Sequence, residues 1–191
     1  MINPFVMYVP DPVGITFEGQ ETGEKIILLL RAHLITLVPA VLLTIVLAFA
    51  PVIIIPVLGF IGFELSNFLN PGQIFLVTIF WYLIVFGYAF YKFIFWYFNV
   101  YLLTNERIID FDFRGLLHKE TSYAKLSQIQ EVTPKTIGFF GTFFHYGDIF
   151  VQTAAAKPEF EFHHVPRPND VAHAILEEGR KEEGEAPGVI A

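Results

Sequence analysis

The pattern of apolar and polar positions divides this chain near residue 99. Across residues 32–91, Glu64 is the sole acidic or basic residue. A membrane-spanning helix takes about 20 apolar residues, so this interval predicts two spans and a short connection. The first is expected over residues 33–55, with Pro39 and Pro51 inside it. Proline kinks a helix, and membrane helices tolerate it where neighbours re-satisfy the freed carbonyls. Pro56 and the residues after it read as a bent extension or a run along the far interface. Asn70, Pro71 and Gly72 form a turn. The second span is expected over residues 73–95. Tyr88, Phe90, Tyr91, Phe93, Phe95, Trp96, Tyr97 and Phe98 crowd its C-terminal end, and such rings favour the headgroup level.

Beyond Asn99 the period changes to two. Ile109, Phe111 and Phe113 alternate with Asp110, Asp112 and Arg114, the mark of a strand with one wet face. Further short strands are predicted over residues 99–104, 117–123, 129–133, 147–153 and 159–165, with Phe160 and Phe162 inward. Pro134 ends one of them, and residues 154–158 form a turn. Pro168 suits the first position of a helix, and Val171, Ala174 and Ile175 give that helix an apolar stripe. The expected organisation is an N-terminal cytoplasmic segment over residues 1–32, a transmembrane hairpin over 33–98, a folded domain over 99–181 and a disordered tail over 182–191. The first 24 residues, with Pro4, Pro10, Pro12 and Gly14, read as an extended, loosely packed arm.

Composition supports this partition. Hydrophobic residues make up 54% and mean hydropathy is +0.53, above the ordinary soluble range. Lys25, Arg31, Lys92 and Arg107 flank the hairpin on one side, and the connection carries no Lys or Arg. Cytoplasmic flanks are enriched in these residues, so both termini and the folded domain are expected in the cytoplasm, on an inner (plasma) membrane crossed twice. Arg31, Lys92, Trp96 and Tyr97 are the expected interfacial anchors. Ala48, Phe49 and Ala50 fit a signal-peptidase site, but the long acidic leader and Pro51 weigh against cleavage.

The chain lacks cysteine, which excludes disulfides and thiol chemistry. From Asn99 onward 9 Lys+Arg stand against 14 Asp+Glu, a net −5, a poor prior for nucleic acid. His163 and His164, adjacent on a strand, should point to opposite faces and so share no ion; no His-Glu-x-x-His spacing exists. The serines lack a nucleophile-elbow setting. No catalytic, cofactor or metal residue is therefore expected. Phe139, Phe140, Phe143 and Phe144 have two readings: an exposed apolar loop touching membrane or a partner, or core filling. The second is favoured because most large aromatics are buried. Lys119 and Lys125, with Lys135 and Arg114, would form a basic rim for anionic lipid, but Glu120 and Glu131 offset them and leave a mixed-charge face.

Taken together, these features resemble a known family. They are two apolar helices, an aromatic exit, a hairpin carrying Thr104, Glu106 and Arg107, a Gly115 turn, Leu126 to Val132, the strand bearing Gly147, Asp148 and Ile149, the pair His163 and His164 before Pro166, and a closing helix. The chain resembles bacterial membrane-anchored pleckstrin-homology-like (PH) domain proteins of the YdbS-like type. That resemblance implies a membrane α-helical hairpin plus a small mainly-β PH-like split barrel of about seven strands, capped by a C-terminal α-helix. It implies no enzyme activity. The expected role is a non-catalytic interaction or scaffolding module whose partners are the lipid bilayer, an unidentified membrane or cytoplasmic protein, or a second copy of the chain. A lipid-sensing module is the alternative, ahead of an accessory subunit of a membrane enzyme or transporter.

Overall fold

The computed structural model describes residues 5–115, 118–154 and 159–184. They divide into two compact units. Ile35–Phe95 form one, and the residues before and after it form the other.

The helical unit is a hairpin. A 3₁₀ turn at Leu34–Leu37 leads into α1, Val38–Phe60, and a second helix, α2, runs over Pro71–Phe98. Pro39 lies in the first turn of α1, where a missing N–H costs nothing. Pro51 and Pro56 lie inside, and the helix passes through both to Phe60. Pro51 cannot donate to the carbonyl of Leu47; the Trp81 indole N–H does so instead, at 2.9 Å. The start of α2 is a reciprocal cap. Asn70 Oδ1 accepts the Gln73 N–H, and Gln73 Oε1 accepts the Asn70 N–H, both at 2.9 Å. Leu34–Phe60 and Pro71–Phe98 are long and apolar enough to cross a membrane, with mean hydropathies of 2.9 and 2.0. The protein buries 0% and 6% of their most apolar windows. They are thus unlike core helices of a water-soluble fold, whose apolar stripe is covered.

The second unit is mainly β. Strands β1 (Tyr8–Pro10), β2 (Ile26–Arg31), β3 (Val100–Thr104), β4 (Arg107–Gly115) and β5 (His118–Lys125) form one antiparallel sheet in that order. A second sheet comprises β6 (Ile129–Lys135), β7 (Tyr146–Thr153) and β8 (Glu159–Pro166). Helix α3, Gly138–Phe144, joins β6 to β7, and α4, Pro168–Glu183, closes the chain. Leu28, Leu30, Leu103, Ile108, Ile149, Val151, Phe162 and Val165 fill the space between the sheets, and Val171 and Ile175 of α4 seal it. Pro134 lies within β6 instead of ending it. As an edge strand, β6 needs no N–H there.

The N-terminal reading requires correction. Among the described residues the segment read as a loose arm belongs to the folded unit: β1 pairs with β2, and β2 is an inner strand paired with β3, Arg31 opposite Val100 and Leu29 opposite Leu102. Its run Ile26, Ile27, Leu28, Leu29, Leu30 does not alternate because both faces are covered. One faces the core between the sheets. The other, with Leu102 and Ile109, is covered by Val9, Ile15 and Phe17. Val9, Ile15 and Phe17, from the segment read as loose, therefore form an outer layer on the sheet. In β4 the expected apolar face is covered, Ile109 and Phe111 lying under this outer layer, but the other face is not wholly wet, because Ile108 lies in the main core. The predicted turn over residues 154–158 lies largely outside the described residues, as does most of the tail; α4 itself extends to Glu183 and ends on Gly184 at φ 78°.

Candidate functional site

Two side-chain constellations in the β unit carry more than packing. The first is polar and buried. Glu24, whose side chain is fully inaccessible, precedes β2. Its Oε1 accepts from Arg107 Nε at 2.9 Å and Thr104 Oγ1 at 2.8 Å, and its Oε2 from Arg107 Nη2 at 2.8 Å and the Glu21 N–H at 2.9 Å. Thr104 Oγ1 in turn accepts the backbone N–H groups of Glu106 and Arg107. Arg107 Nη2 also donates to Gly19 O at 2.7 Å. Burial pushes the Glu24 carboxyl up, but the Arg107 bonds, with those from Glu21 and Thr104, outweigh it and hold the group below its ordinary value. This network fastens the segment before α1 to the β3–β4 hairpin after α2. Sequence reasoning singled out Thr104, Glu106 and Arg107 but did not pair them with Glu24, which lies 83 residues from Arg107.

A related fastening is Arg31. It is buried, and donates from Nε to Tyr97 O and from Nη1 to Val6 O, both at 3.1 Å, with its guanidinium 4.6 Å over the Tyr97 ring. Tyr97 lies in the last turn of α2, whose carbonyls lack helical partners. A buried cation is well placed there. The Trp96 indole is buried too and donates to Ala32 O at 2.7 Å. Arg31 and Trp96, expected as interfacial anchors, join the strand before the hairpin to the helix end after it. Tyr97 is half-buried beneath Arg31, and Lys92 is exposed, 5.9 Å from the Tyr88 ring.

The second constellation is apolar and exposed. Ile137 precedes Gly138, at φ 76°, and His145 closes α3 in the left-handed region at φ 54°, donating its N–H to Gly141 O. The turn of the helix places Phe139 over Phe143 and Phe140 over Phe144, stacked with centroids 5.9 and 6.4 Å apart. The four rings form a raft that is 75%, 61%, 64% and 41% exposed for Phe139, Phe140, Phe143 and Phe144. The core-filling expectation is thus wrong. Gly141 explains why: on the opposite side of α3, a Cβ there would meet Tyr146 O at 3.1 Å and Thr136 Cγ2 at 3.3 Å. The helix therefore presses its small face on the sheet and turns its rings outward.

Beside this raft the Phe144 ring lies 6.3 Å from His33, which stacks on Tyr146 at 5.2 Å. The His33 N–H donates to His164 O at 2.7 Å, and the Leu34 N–H to Met7 Sδ at 3.0 Å. An open cleft of about 1190 Å³ adjoins, lined among others by His33, Thr142, His145, Arg167 and Asp170. His164 sits at φ 53°, where the β7–β8 register shifts. The bulge breaks the alternation assumed from sequence: both imidazoles approach Asp148 Oδ1, His163 at 3.7 Å and His164 at 4.0 Å. Among the described residues no His/Cys/Asp/Glu group suited to a metal ion occurs. Lys119 and Lys125 lie on β5, in the other sheet from the strands that flank α3. Lys119 is paired with Glu18 at 3.5 Å and lies over Phe111; Lys125 is exposed. The side chain of Arg114 lies outside the described residues.

Residues 33–179 match the family model described as "Bacterial PH domain". Among solved structures, a DUF1696 family protein with a pleckstrin-homology domain from Shewanella loihica PV-4 is 20% identical, covering 44% of this chain and 68% of that one, with a TM-score of 0.31. No curated protein matches.

Proposed function

Since this chain belongs to the bacterial PH domain family, whose modules are generally non-catalytic, we propose that it is a membrane-anchored interaction module. Its sheet domain is held at the cytoplasmic face by the two-helix hairpin. The pairing of β2 with β3 carries the reading. Arg31, three residues before the first candidate span, lies opposite Val100, two residues beyond the second. A hairpin whose two ends are stitched into one sheet enters and leaves a bilayer on the same side. The Lys and Arg flanks then assign that side to the cytoplasm.

The domain serves as a scaffold that presents β5 and its neighbours to a protein partner. Tyr123, Lys119 and Lys125 on that edge strand are accessible, and exposed strand edges are common sites of protein recognition. The test is site-specific photocrosslinking in native membranes. A crosslinker at Tyr123 or Lys125 is expected to yield a reproducible protein adduct, heteromeric or between two copies. Release of the chain into the aqueous fraction without detergent contradicts the anchor, and absence of protein adducts from both positions contradicts the scaffold.

A further inference from the structure

We propose that α3 is a third membrane contact: a short interfacial element whose phenylalanine raft inserts into the headgroup–acyl boundary beside the point where the chain enters the bilayer. The inference rests on the anchoring reading above and adds to it a docked orientation of the β unit.

Leu34 is the first residue of the first candidate span, and His33, one residue before it, is fixed to the β unit by its N–H bond to His164 O. The Leu34 N–H is fixed likewise to Met7 Sδ. The bilayer surface therefore lies at this corner of the domain. Phe144 is in ring contact with His33 here. One residue advances the chain by about 3.8 Å, and an interfacial helix sinks roughly 5–10 Å into the boundary, so the raft lies within reach of lipid.

Composition agrees. Residues 136–144 contain no charged side chain, and exposed Ile137 extends the apolar surface. Lys135, exposed at its edge, suits anionic headgroups. A raft of this kind facing water is an unusual liability, and packing on the sheet cannot relieve it because the rings lie on the opposite side from Gly141. A bilayer covers it without a further gene product. A protein occupant is the competing outcome.

The chain has no cysteine, so single cysteines report cleanly. The full-length variants Phe143→Cys, Phe139→Cys, Glu120→Cys and Leu83→Cys would each carry an environment-sensitive fluorophore, in vesicles of three parts phosphatidylcholine to one part phosphatidylglycerol. Brominated lipid and aqueous iodide are the two quenchers. Labels at 139 and 143 are expected to show several-fold stronger bromolipid quenching than the label at 120, with loss of iodide quenching. Iodide quenching at 139 and 143 equal to that at 120, with Leu83→Cys still quenched by bromolipid, overturns the α3 contact and leaves the anchor standing. Shielding of 139 and 143 from both quenchers assigns the raft to a protein neighbour and also overturns it. Failure of bromolipid to quench at 83 refutes the anchor itself.

Discussion

Replacing Glu24 with Gln probes the fastening between the segments that flank the hairpin. The substitution keeps shape and volume but sets an amide N–H₂ toward the Arg107 guanidinium, donor against donor. It removes one of the two charge-assisted bonds, at 2.9 and 2.8 Å, takes the negative charge from the acceptor of the other, and leaves the cation short of its partner. Breaking a buried ion pair by removing one member costs about 3–5 kcal/mol. Arg107 keeps 18% side-chain exposure, Gly19 O and Glu21 at 4.0 Å, which sets the expectation at the low end, about 3 kcal/mol. Arg107→Met leaves a buried carboxylate with only Thr104 and the Glu21 amide, and costs at least as much. The double variant removes both charges, so its loss should fall short of the sum by about 2 kcal/mol. Urea titration of detergent-solubilised full chain, read by pulse proteolysis of the β unit, measures all three. A loss below about 1 kcal/mol for Glu24→Gln, or strict additivity, would falsify the view that this ion pair holds the N-terminal layer to the sheet.

Acid should act through the same carboxylate. Its folded-state pKa lies below the ordinary 4.5, so its contribution is complete above that value and is lost as pH falls through the folded pKa; stability measured between pH 6 and about pH 3 should decline more steeply in the wild type than in Glu24→Gln. Gly147→Ala should destabilise the three-stranded sheet by about 3 kcal/mol, since a Cβ there collides with the Lys135 carbonyl; an unchanged urea midpoint would contradict that close approach. Trp81→Phe strands the Leu47 carbonyl freed by Pro51 and should weaken the hairpin by about 1–3 kcal/mol, whereas the double variant with Pro51→Ala, which restores the N–H donor, should recover most of it in a detergent stability assay.

The hairpin was legible because uncharged sequence of that length has few other uses. The strands after residue 100 were legible where one face is wet. Ile26–Arg31 was not, since a strand buried on both faces loses its alternation and, directly before a span, looks like the prelude to a helix. Its cover comes from Ile15 and Phe17 on one side and from residues as distant as Phe162 and Ile175 on the other, information that no local window holds. Among the described residues the β strands after residue 99 number six, and a further full-length strand, β2, comes from before the first apolar helix. The α3 raft misled in the opposite direction. Aromatic burial is a good general rule, but Gly141 gives that helix a flatter face to pack, and four rings are left outside. The bulge at His164 likewise defeats the two-residue period that should have separated His163 from His164.

In the proposed topology the chain leaves the sheet, crosses the membrane twice and returns to the same sheet. Impermeant maleimide labelling of single cysteines in intact cells tests it most directly: Val13→Cys before the hairpin, Ser66→Cys in the connection and Lys125→Cys after it, all exposed sites. Residue 66 is expected to label from outside, with residues 13 and 125 both protected until the membrane is permeabilised. Labelling of one of residues 13 and 125 with protection of the other would place the paired strands on opposite sides of a bilayer and contradict the two-span topology.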